Sequence, residues 1–132
     1  MTDSMSGQYV FSVRFRLRPS NVRVEPATFE TTMYHEADPP GEAGWLFFRD
    51  NLWRGELNSP GHFRELTEER LNVPVEHVEY RRFEVSEGGY ESLKRAIAAD
   101  LDQFNADSVS EVLNKYFASS IELRPELEGR QN

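Results

Sequence analysis

The sequence predicts an α+β domain in which a mainly antiparallel sheet carries about three helices on one face, in the order ββββαβααβ. Three observations predict it. The N-terminal third contains ten residues of strict apolar–polar alternation, which is typical of a half-buried strand. The C-terminal third contains apolar residues spaced three and four apart, which is typical of helices. Short segments rich in Pro, Gly and polar residues separate these patterns and indicate turns.

The chain length favours one domain. Its 132 residues lie within the usual size of a single domain, and 38% hydrophobic residues are enough for a core. Both ends of the chain are polar. We therefore expect a disordered tail over residues 1–8, a folded domain over residues 9–124 and a second tail over residues 125–132.

The first strand is predicted over Tyr9–Arg18. Its odd-numbered residues are apolar, and its other face carries three arginines, Arg14, Arg16 and Arg18. A weaker strand follows over Val22–Tyr34, interrupted at Pro26. The polar segment His35–Gly44 contains two Pro and two Gly residues and predicts a loop.

A hairpin is predicted next, because Trp45–Phe48 supplies four apolar residues in a row and Asp50-Asn51 suits a two-residue turn. The strand Leu52–Leu57 would return. In this register Trp53 faces Phe48 as a core anchor, whereas Arg54 lies over Phe47 and nearer to solvent. An exposed Trp53 would show that this register is wrong and would make the tryptophan the stronger binding candidate.

A helix is predicted to begin after Ser59-Pro60, a capping residue followed by a proline suited to the first helical position. It would end near Leu71, with Asn72 in the left-handed conformation. The apolar spacing predicts that this helix buries Phe63, Leu66 and Leu71.

The remaining elements follow in order. Val75–Val85 predicts a strand whose alternation slips at Arg81-Arg82, so we expect a β-bulge there. The capping box Ser108-x-x-Glu111 opens a helix, and Ile121–Leu123 predicts a short last strand. Between them, one continuous helical stripe is formed by Tyr90, Leu93, Ile97, Leu101 and Phe104.

The charge composition indicates a salt-rich environment. The chain carries a formal net charge of −8, and Lys94 and Lys115 are the only lysines among its 15 Lys and Arg residues. Arg pairs with carboxylates through two hydrogen bonds, and molar salt screens the repulsion among like charges. With no Cys, no apolar run long enough to span a membrane and no signal peptide, these features predict a halophilic protein of a haloarchaeal cytoplasm.

Catalytic and metal-binding patterns are absent from the sequence. His35, His62 and His77 have no ligand spacing, and Ser119-Ser120 lacks the context of a nucleophile. No phosphate-binding glycine motif is present. Acidic pairs carry little information in so acidic a chain. We therefore expect no cofactor, metal or catalytic residue, and an enzyme is the least favoured class.

Two groups of residues are candidate binding sites. The arginine row, Arg14, Arg16 and Arg18, places a guanidinium about every 6.6–7 Å along one strand, a spacing that suits phosphates. Alternatively, acidic residues of neighbouring strands such as Glu30 or Glu79 pair with the row across the sheet. The second group is Arg49, Trp53 and Arg54, because Trp and Arg dominate binding energy at protein interfaces. Alternatively, the rings of this segment form core.

The chain resembles a known family in several segments. The triplet Leu52-Trp53-Arg54 within FFRDNLWRGE, the opening YVFSVRFRL, the later AIAADLDQFNADS and the closing SSIEL are similar to those of the LWR-salt proteins. These are small haloarchaeal proteins named for that triplet and for their habitat. The resemblance covers roughly Tyr9 to Leu123 and marks the triplet as the signature. It implies no particular activity, cofactor or catalytic residue.

The sequence thus favours a non-enzymatic protein-interaction or small regulatory module, acting on a protein partner or as a homodimer and not on a membrane. The alternative is a module that binds RNA or phosphate through the arginine row. The uncovered face of the sheet discriminates between them. Arginines without acidic neighbours would favour nucleic acid, and a flat apolar face would favour a protein.

Overall fold

The computed structural model describes residues 7–17 and 27–127. In these ranges the strands are β1 (Gly7–Arg16), β2 (Thr28–Glu36), β3 (Leu52–Trp53), β4 (Glu56–Leu57), β5 (Val75–Val85) and β6 (Ile121–Leu123). The helices are α1 (Phe47–Asn51), α2 (Pro60–Leu71), α3 (Glu87–Ala98) and α4 (Val109–Tyr116), and short 3₁₀ helices span Leu101–Phe104 and Pro125–Leu127.

Four strands form the main sheet in the order β2-β1-β5-β6. β1 is central and antiparallel to both neighbours, whereas β6 runs parallel to β5. A parallel neighbour requires a long crossover, and α3 and α4 supply it. The predicted α+β class with a mainly antiparallel sheet is confirmed.

The β1–β5 register contains the predicted bulge. Val10 pairs with Arg82 and Phe11 pairs with Tyr80, so Arg81 has no opposite residue. The slip keeps the side chains on either side of it facing the core, because an extra residue offsets the period of two. A second shift, which was not predicted, lies between Arg14 and Phe15 and leaves Glu76 without a partner in the ladder.

The core lies between the sheet and the helices. Phe11 and Phe83 of the sheet and Phe48 of α1 are fully buried. Phe11 stacks on Phe63 of α2 with 4.9 Å between ring centres. Each fully buried Phe contributes about 1.5–3 kcal/mol through its removal from water, so this aromatic layer holds the helices onto one face of the sheet.

Helix α2 has the predicted bounds but not the predicted burial. Asn72 ends it in the left-handed conformation with φ 59°, although the Ser59 side chain makes no capping hydrogen bond. Leu66 and Leu71 are 46% and 39% exposed, so the expectation that they are buried is wrong. The helix instead turns Thr67 inward, where its hydroxyl donates to the carbonyl of Phe63 at 2.8 Å.

The predicted long helical stripe is divided between two elements. α3 ends at Ala98, and Leu101–Phe104 forms a separate 3₁₀ helix that ends at Asn105 with φ 52°. The capping box of α4 is confirmed. The Ser108 hydroxyl accepts from the Glu111 N–H at 3.1 Å, and the Glu111 carboxylate accepts from the Asp107 N–H at 3.0 Å.

Within the described ranges, every helix is too short or too polar to cross a lipid bilayer.

At the two ends of the described chain, β1 begins at Gly7, and Leu127 is buried in the last 3₁₀ helix. The second strand spans Thr28–Glu36 and therefore includes His35, which the sequence assigned to a loop. The predicted strand residues Val22–Pro26 lie outside the described ranges.

Candidate functional site

The segment 45–57 forms a helix followed by a minimal hairpin, so the hairpin predicted there is wrong. Phe47–Asn51 is helical, and the tight turn is Arg54-Gly55. Both turn residues have positive φ, 54° and 83°, which is the backbone pattern that joins twisted antiparallel strands best. We refer to residues Leu52–Leu57 as the Trp53 hairpin. In it Leu52 pairs with Leu57 and Trp53 pairs with Glu56.

The Trp53 hairpin is fixed to the last turn of α4. The N–H of Arg54 donates to the carbonyl of Lys115 at 2.8 Å, and the N–H of Gly55 donates to the carbonyl of Tyr116 at 2.9 Å. Carbonyls in the last turn of a helix have no partner within the helix, so the hairpin satisfies two of them. A side chain at Gly55 would place its Cβ 3.1 Å from the Phe117 carbonyl oxygen.

The buried side chain of Leu52 attaches the hairpin to the core. Its side chain is 1% exposed and belongs to the core. In the same core cluster, the Phe48 ring stacks on Phe117 at 5.1 Å and on Phe104 at 5.7 Å between ring centres. Trp45, the other tryptophan, packs edge-on against Phe48 at 6.3 Å. The structural part of this aromatic segment is therefore Phe48, Leu52 and Trp45.

Trp53 is 47% exposed, so the prediction that it anchors the core opposite Phe48 is wrong. One edge of its ring meets Tyr116 at 6.1 Å between centres. The guanidinium carbon of Arg54 lies 5.5 Å from the centre of the same ring, and not over Phe47 as predicted. The two side chains share one surface because the positive φ of Arg54 interrupts the alternation of the strand.

Arg49 does not belong to this exposed pair. It lies on α1, where its guanidinium forms an ion pair with Asp50 at 3.0 Å. It also donates to the side-chain oxygen of Gln103 at 3.2 Å. These contacts tie α1 to the 3₁₀ helix, so the geometry gives Arg49 a structural role.

The arginine row meets carboxylates from both neighbouring strands. Arg14 lies 3.6 Å from Glu30 of β2, and Arg16 is ion-paired with Glu76 of β5. Arg18, the third member, lies outside the described residues. Where residues 7–17 and 27–127 form this face, Arg14 and Arg16 are therefore charged and paired, so that part is neither a row of unpaired arginines nor a flat apolar surface.

A buried charge cluster on that face was missed by the sequence reasoning. Glu84 is 6% exposed and accepts hydrogen bonds from Gln8 at 2.9 Å and from Arg82 at 2.7 Å. Arg124 forms a further ion pair with it at 3.2 Å. Burial raises the pKa of Glu84, but the hydrogen bonds from Gln8 and Arg82, with the charges of Arg124 and Arg82, outweigh it and leave the pKa below its ordinary value.

The structure also contains a cleft of about 310 Å³ between β2 and α2, which we call the β2 cleft. The His35 ring lies in it, stacked on Phe47 with 4.4 Å between ring centres. Burial, with the charge of Arg70, lowers the pKa of His35. The exposed Leu66 and Leu71 also line it. The alternation of Met33 and His35 is a sequence signal that could have indicated this surface, but the predicted strand ended at Tyr34 and His35 was assigned to a loop.

The residues 7–17 and 27–127 contain no group of three or more His, Asp or Glu side chains arranged to hold a metal ion.

A family model described as LWR-salt protein matches residues 5–127, nearly the whole chain. No curated protein and no solved structure matches the chain.

Proposed function

The chain belongs to the LWR-salt protein family, and on that premise we propose that it is a non-enzymatic interaction module that binds a partner protein through Trp53 and Arg54. One observation carries the proposal. A tryptophan that is 47% exposed supports an arginine 5.5 Å above its ring, on a turn fixed to the core. Trp and Arg are the residues most enriched among those that dominate binding energy at interfaces.

The exposed part of Trp53 adds no hydrophobic stabilisation to the fold. Removal of apolar surface from water contributes roughly 25 cal/mol per Å², so the indole would gain this stabilisation only when another surface covers it. Salting-out ions strengthen apolar burial further. Leu52, the preceding residue, is buried completely, which shows that this hairpin can bury a large side chain. A partner that covers the indole would provide this stabilisation.

The rigidity of the turn also supports binding. Two hydrogen bonds from the turn to α4 and the buried Leu52 fix the backbone at Trp53 and Arg54. A surface that is already ordered loses little conformational entropy when a partner binds, so more of the contact energy appears as affinity. Among the described residues no hydrogen bond or ion pair engages the guanidinium of Arg54, so its N–H donors could pair with a carboxylate of the partner.

We further propose that the module works in a salt-rich cytoplasm. Its net charge of −8 and its 23 acidic residues favour solubility in concentrated salt. At such ionic strength the Debye length is about 3 Å or less, so contacts through rings and apolar surface persist better than contacts through charge alone.

The alternative function, RNA or phosphate binding by Arg14, Arg16 and Arg18, receives less support. Arg14 and Arg16 already pair with Glu30 and Glu76, and a phosphate would have to displace those carboxylates. Molar salt also weakens phosphate binding, because that binding depends on the release of counterions.

A photocrosslinking experiment tests the proposal. We would place a benzophenone amino acid at Glu56, the exposed residue that pairs with Trp53, and at the exposed Leu123 as the control, so that Trp53 itself is kept. Irradiation in a native high-salt lysate should give a product with another protein at position 56 only. Mass spectrometry identifies that protein, and titration with the purified partner should show that Trp53→Ala weakens binding about 30-fold or more. Equal products at both positions, or none at position 56, would contradict the proposal.

A further inference from the structure

Strand β2 lies at the edge of the main sheet, where its outer side pairs with no other strand in the described part of the chain. It is nine residues long and runs against β1 from Thr28 to Glu36 without a register shift. A long regular edge of this kind presents a row of backbone donors and acceptors to another strand.

The direction of these backbone groups follows from two hydrogen bonds. The N–H of Leu17 donates to the carbonyl of Ala27 at 3.0 Å, and the N–H of Ala37 donates to the carbonyl of Gly7 at 2.9 Å. Odd-numbered residues of the strand therefore face β1, because backbone groups alternate along a strand in an antiparallel pair. The outward groups belong to Thr28, Glu30, Thr32, Tyr34 and Glu36.

The usual protection of an edge strand is nearly absent from β2. Natural edges are blocked by Pro, by Lys, by bulges or by shortness. β2 contains no Pro and no Lys, its register is unbroken, and its only charged residues are Glu30 and Glu36. In this strand, only the two carboxylates would oppose pairing with a strand of another molecule.

We infer that β2 is the interface of a homodimer, in which it pairs antiparallel with β2 of a second copy about a two-fold axis at Thr32. An antiparallel pair of identical strands is self-complementary, as a two-fold interface must be. With the axis at Thr32, Thr32 faces Thr32, Glu30 faces Tyr34, and Thr28 faces Glu36. Every residue of the strand is then paired, and no carboxylate faces another.

Neighbouring registers are less favourable. An axis at Met33 would place Glu30 opposite Glu36, and an axis at Glu30 would place that residue opposite itself; like charges that face each other across strands are destabilising. An axis at Thr31 would shorten the ladder to Thr28–Tyr34 and leave Glu36 beyond its end. The absence of facing carboxylates, together with the full length of the ladder, thus selects the axis at Thr32.

The β2 cleft supports the same interface. The side chains of Thr31 and Met33 lie on the face of the sheet that carries α2, and the second strand would add its own Thr31 and Met33 beside them. The exposed apolar surfaces of Leu66 and Leu71 border this position. The interface therefore consists mainly of backbone hydrogen bonds, which molar salt does not screen, and on the face that carries α2 its contacts would be between the neutral side chains of Thr31 and Met33. Salt also reduces the repulsion between two chains of charge −8.

A proline substitution tests the pairing. Thr32→Pro removes an outward N–H and leaves the hydrogen bonds to β1 intact, because proline is tolerated where an edge strand faces solvent. In molar potassium chloride, sedimentation equilibrium should give the wild type twice its 15.3 kDa mass, and the variant the single mass. Thr32→Ala, which keeps the N–H, should remain a dimer. A monomeric wild type, or a dimer that Thr32→Pro does not weaken, would overturn the inference.

Cysteine substitutions test the register even if the proline variant fails to fold. The chain has no Cys, so a single introduced thiol reports one position. Thr32→Cys should form a disulfide between copies, because paired Cα atoms lie about 5.5 Å apart, within the range that a disulfide spans. Thr28→Cys should not, because its two copies would lie about 27 Å apart along the ladder. Equal crosslinking at both positions would exclude this interface. The Trp53 hairpin is not involved, so Trp53→Ala should leave the dimer intact.

Discussion

The guanidinium carbon of Arg54 lies 5.5 Å from the centre of the Trp53 ring, although consecutive residues of a strand point to opposite faces. The contact exists because Arg54 has left the strand, at φ 54°. Left-handed geometry costs a residue other than glycine about 1–2 kcal/mol. The hydrogen bond from its N–H to Lys115 helps to offset this cost.

The two residues at the start of the Trp53 hairpin should respond differently to truncation. Leu52→Ala should destabilise the fold by about 3–5 kcal/mol, because it empties a fully buried site beneath the hairpin. Trp53→Ala should cost only about 1–2 kcal/mol, because almost half of the side chain is already in water. Denaturant unfolding in high salt measures both. Equal losses would mean that Trp53 is part of the core.

Gly55→Ala should destabilise the fold by about 2–4 kcal/mol. Alanine at φ 83° is strained, and its Cβ would lie 3.1 Å from the Phe117 carbonyl oxygen. Gly41→Ala is the matched control, since Gly41 has φ 93° and a Cβ added there would meet nothing within 4 Å. The control should lose only the conformational part, about 1–2 kcal/mol. If the two variants have the same melting temperature, the close approach of the added Cβ to the Phe117 carbonyl oxygen does not contribute to the destabilisation.

Glu84→Gln should lower the free energy of unfolding above about pH 5, and this loss of stability should disappear at lower pH. The pKa of Glu84 is lower in the folded protein than its ordinary value of 4.5. Such a carboxylate stabilises the fold above the unfolded pKa, and the stabilisation disappears as pH falls through the folded pKa. We expect a difference of about 1–3 kcal/mol at pH 7 that shrinks below pH 4. Unfolding of both proteins as a function of pH measures it, and a difference that does not change with pH would be contrary to this expectation.

Salt should stabilise the fold. Raising potassium chloride from ~0.1 M to ~3 M shortens the Debye length from about 10 Å to under 3 Å and screens the repulsion within a chain of charge −8. The melting temperature should rise over this range. Sulfate at equal ionic strength separates screening from the strengthening of apolar burial. An unchanged melting temperature in both salts would count against adaptation to salt.

Replacement of Arg14 and Arg16 with Gln should have a small effect. Both pairs are partly exposed, and exposed ion pairs contribute about 0–1 kcal/mol each. The double variant should keep its fold, and neither protein should retain RNA at multimolar salt. Filter binding measures retention. If the wild type binds RNA at multimolar salt and the double variant does not, phosphate binding becomes the favoured function.

Elements with local signals were predictable from the sequence. The alternation of β1, the ends of α2 at Pro60 and Asn72, and the capping box at Ser108 each depend on a few neighbouring residues. The bulge at Arg81 was predictable because one extra residue lets a strand break its period of two and still keep its apolar side chains on one face.

The segment around the candidate site was not predictable in the same way. Trp45–Phe48 is a short apolar run, which periodicity alone assigns equally well to a strand or a helix. Arg54-Gly55 takes the turn instead of Asp50-Asn51 because α4 offers it two carbonyls, at Lys115 and Tyr116, far along the chain from the turn. The exposure of Leu66 likewise depends on which face of α2 meets the sheet.

The central position of β1 has a consequence for the newly made chain. Its second neighbour, β5, begins at Val75, about 60 residues after β1 ends at Arg16. At a synthesis rate of about 5–20 residues per second, β1 waits about 3–12 s for that neighbour to leave the ribosome. During this interval the edge of β1 that carries Tyr9, Phe11 and Val13 lacks its native neighbouring strand. Slower synthesis lengthens this interval, so a host that translates the chain slowly should produce more aggregates than one that translates it quickly.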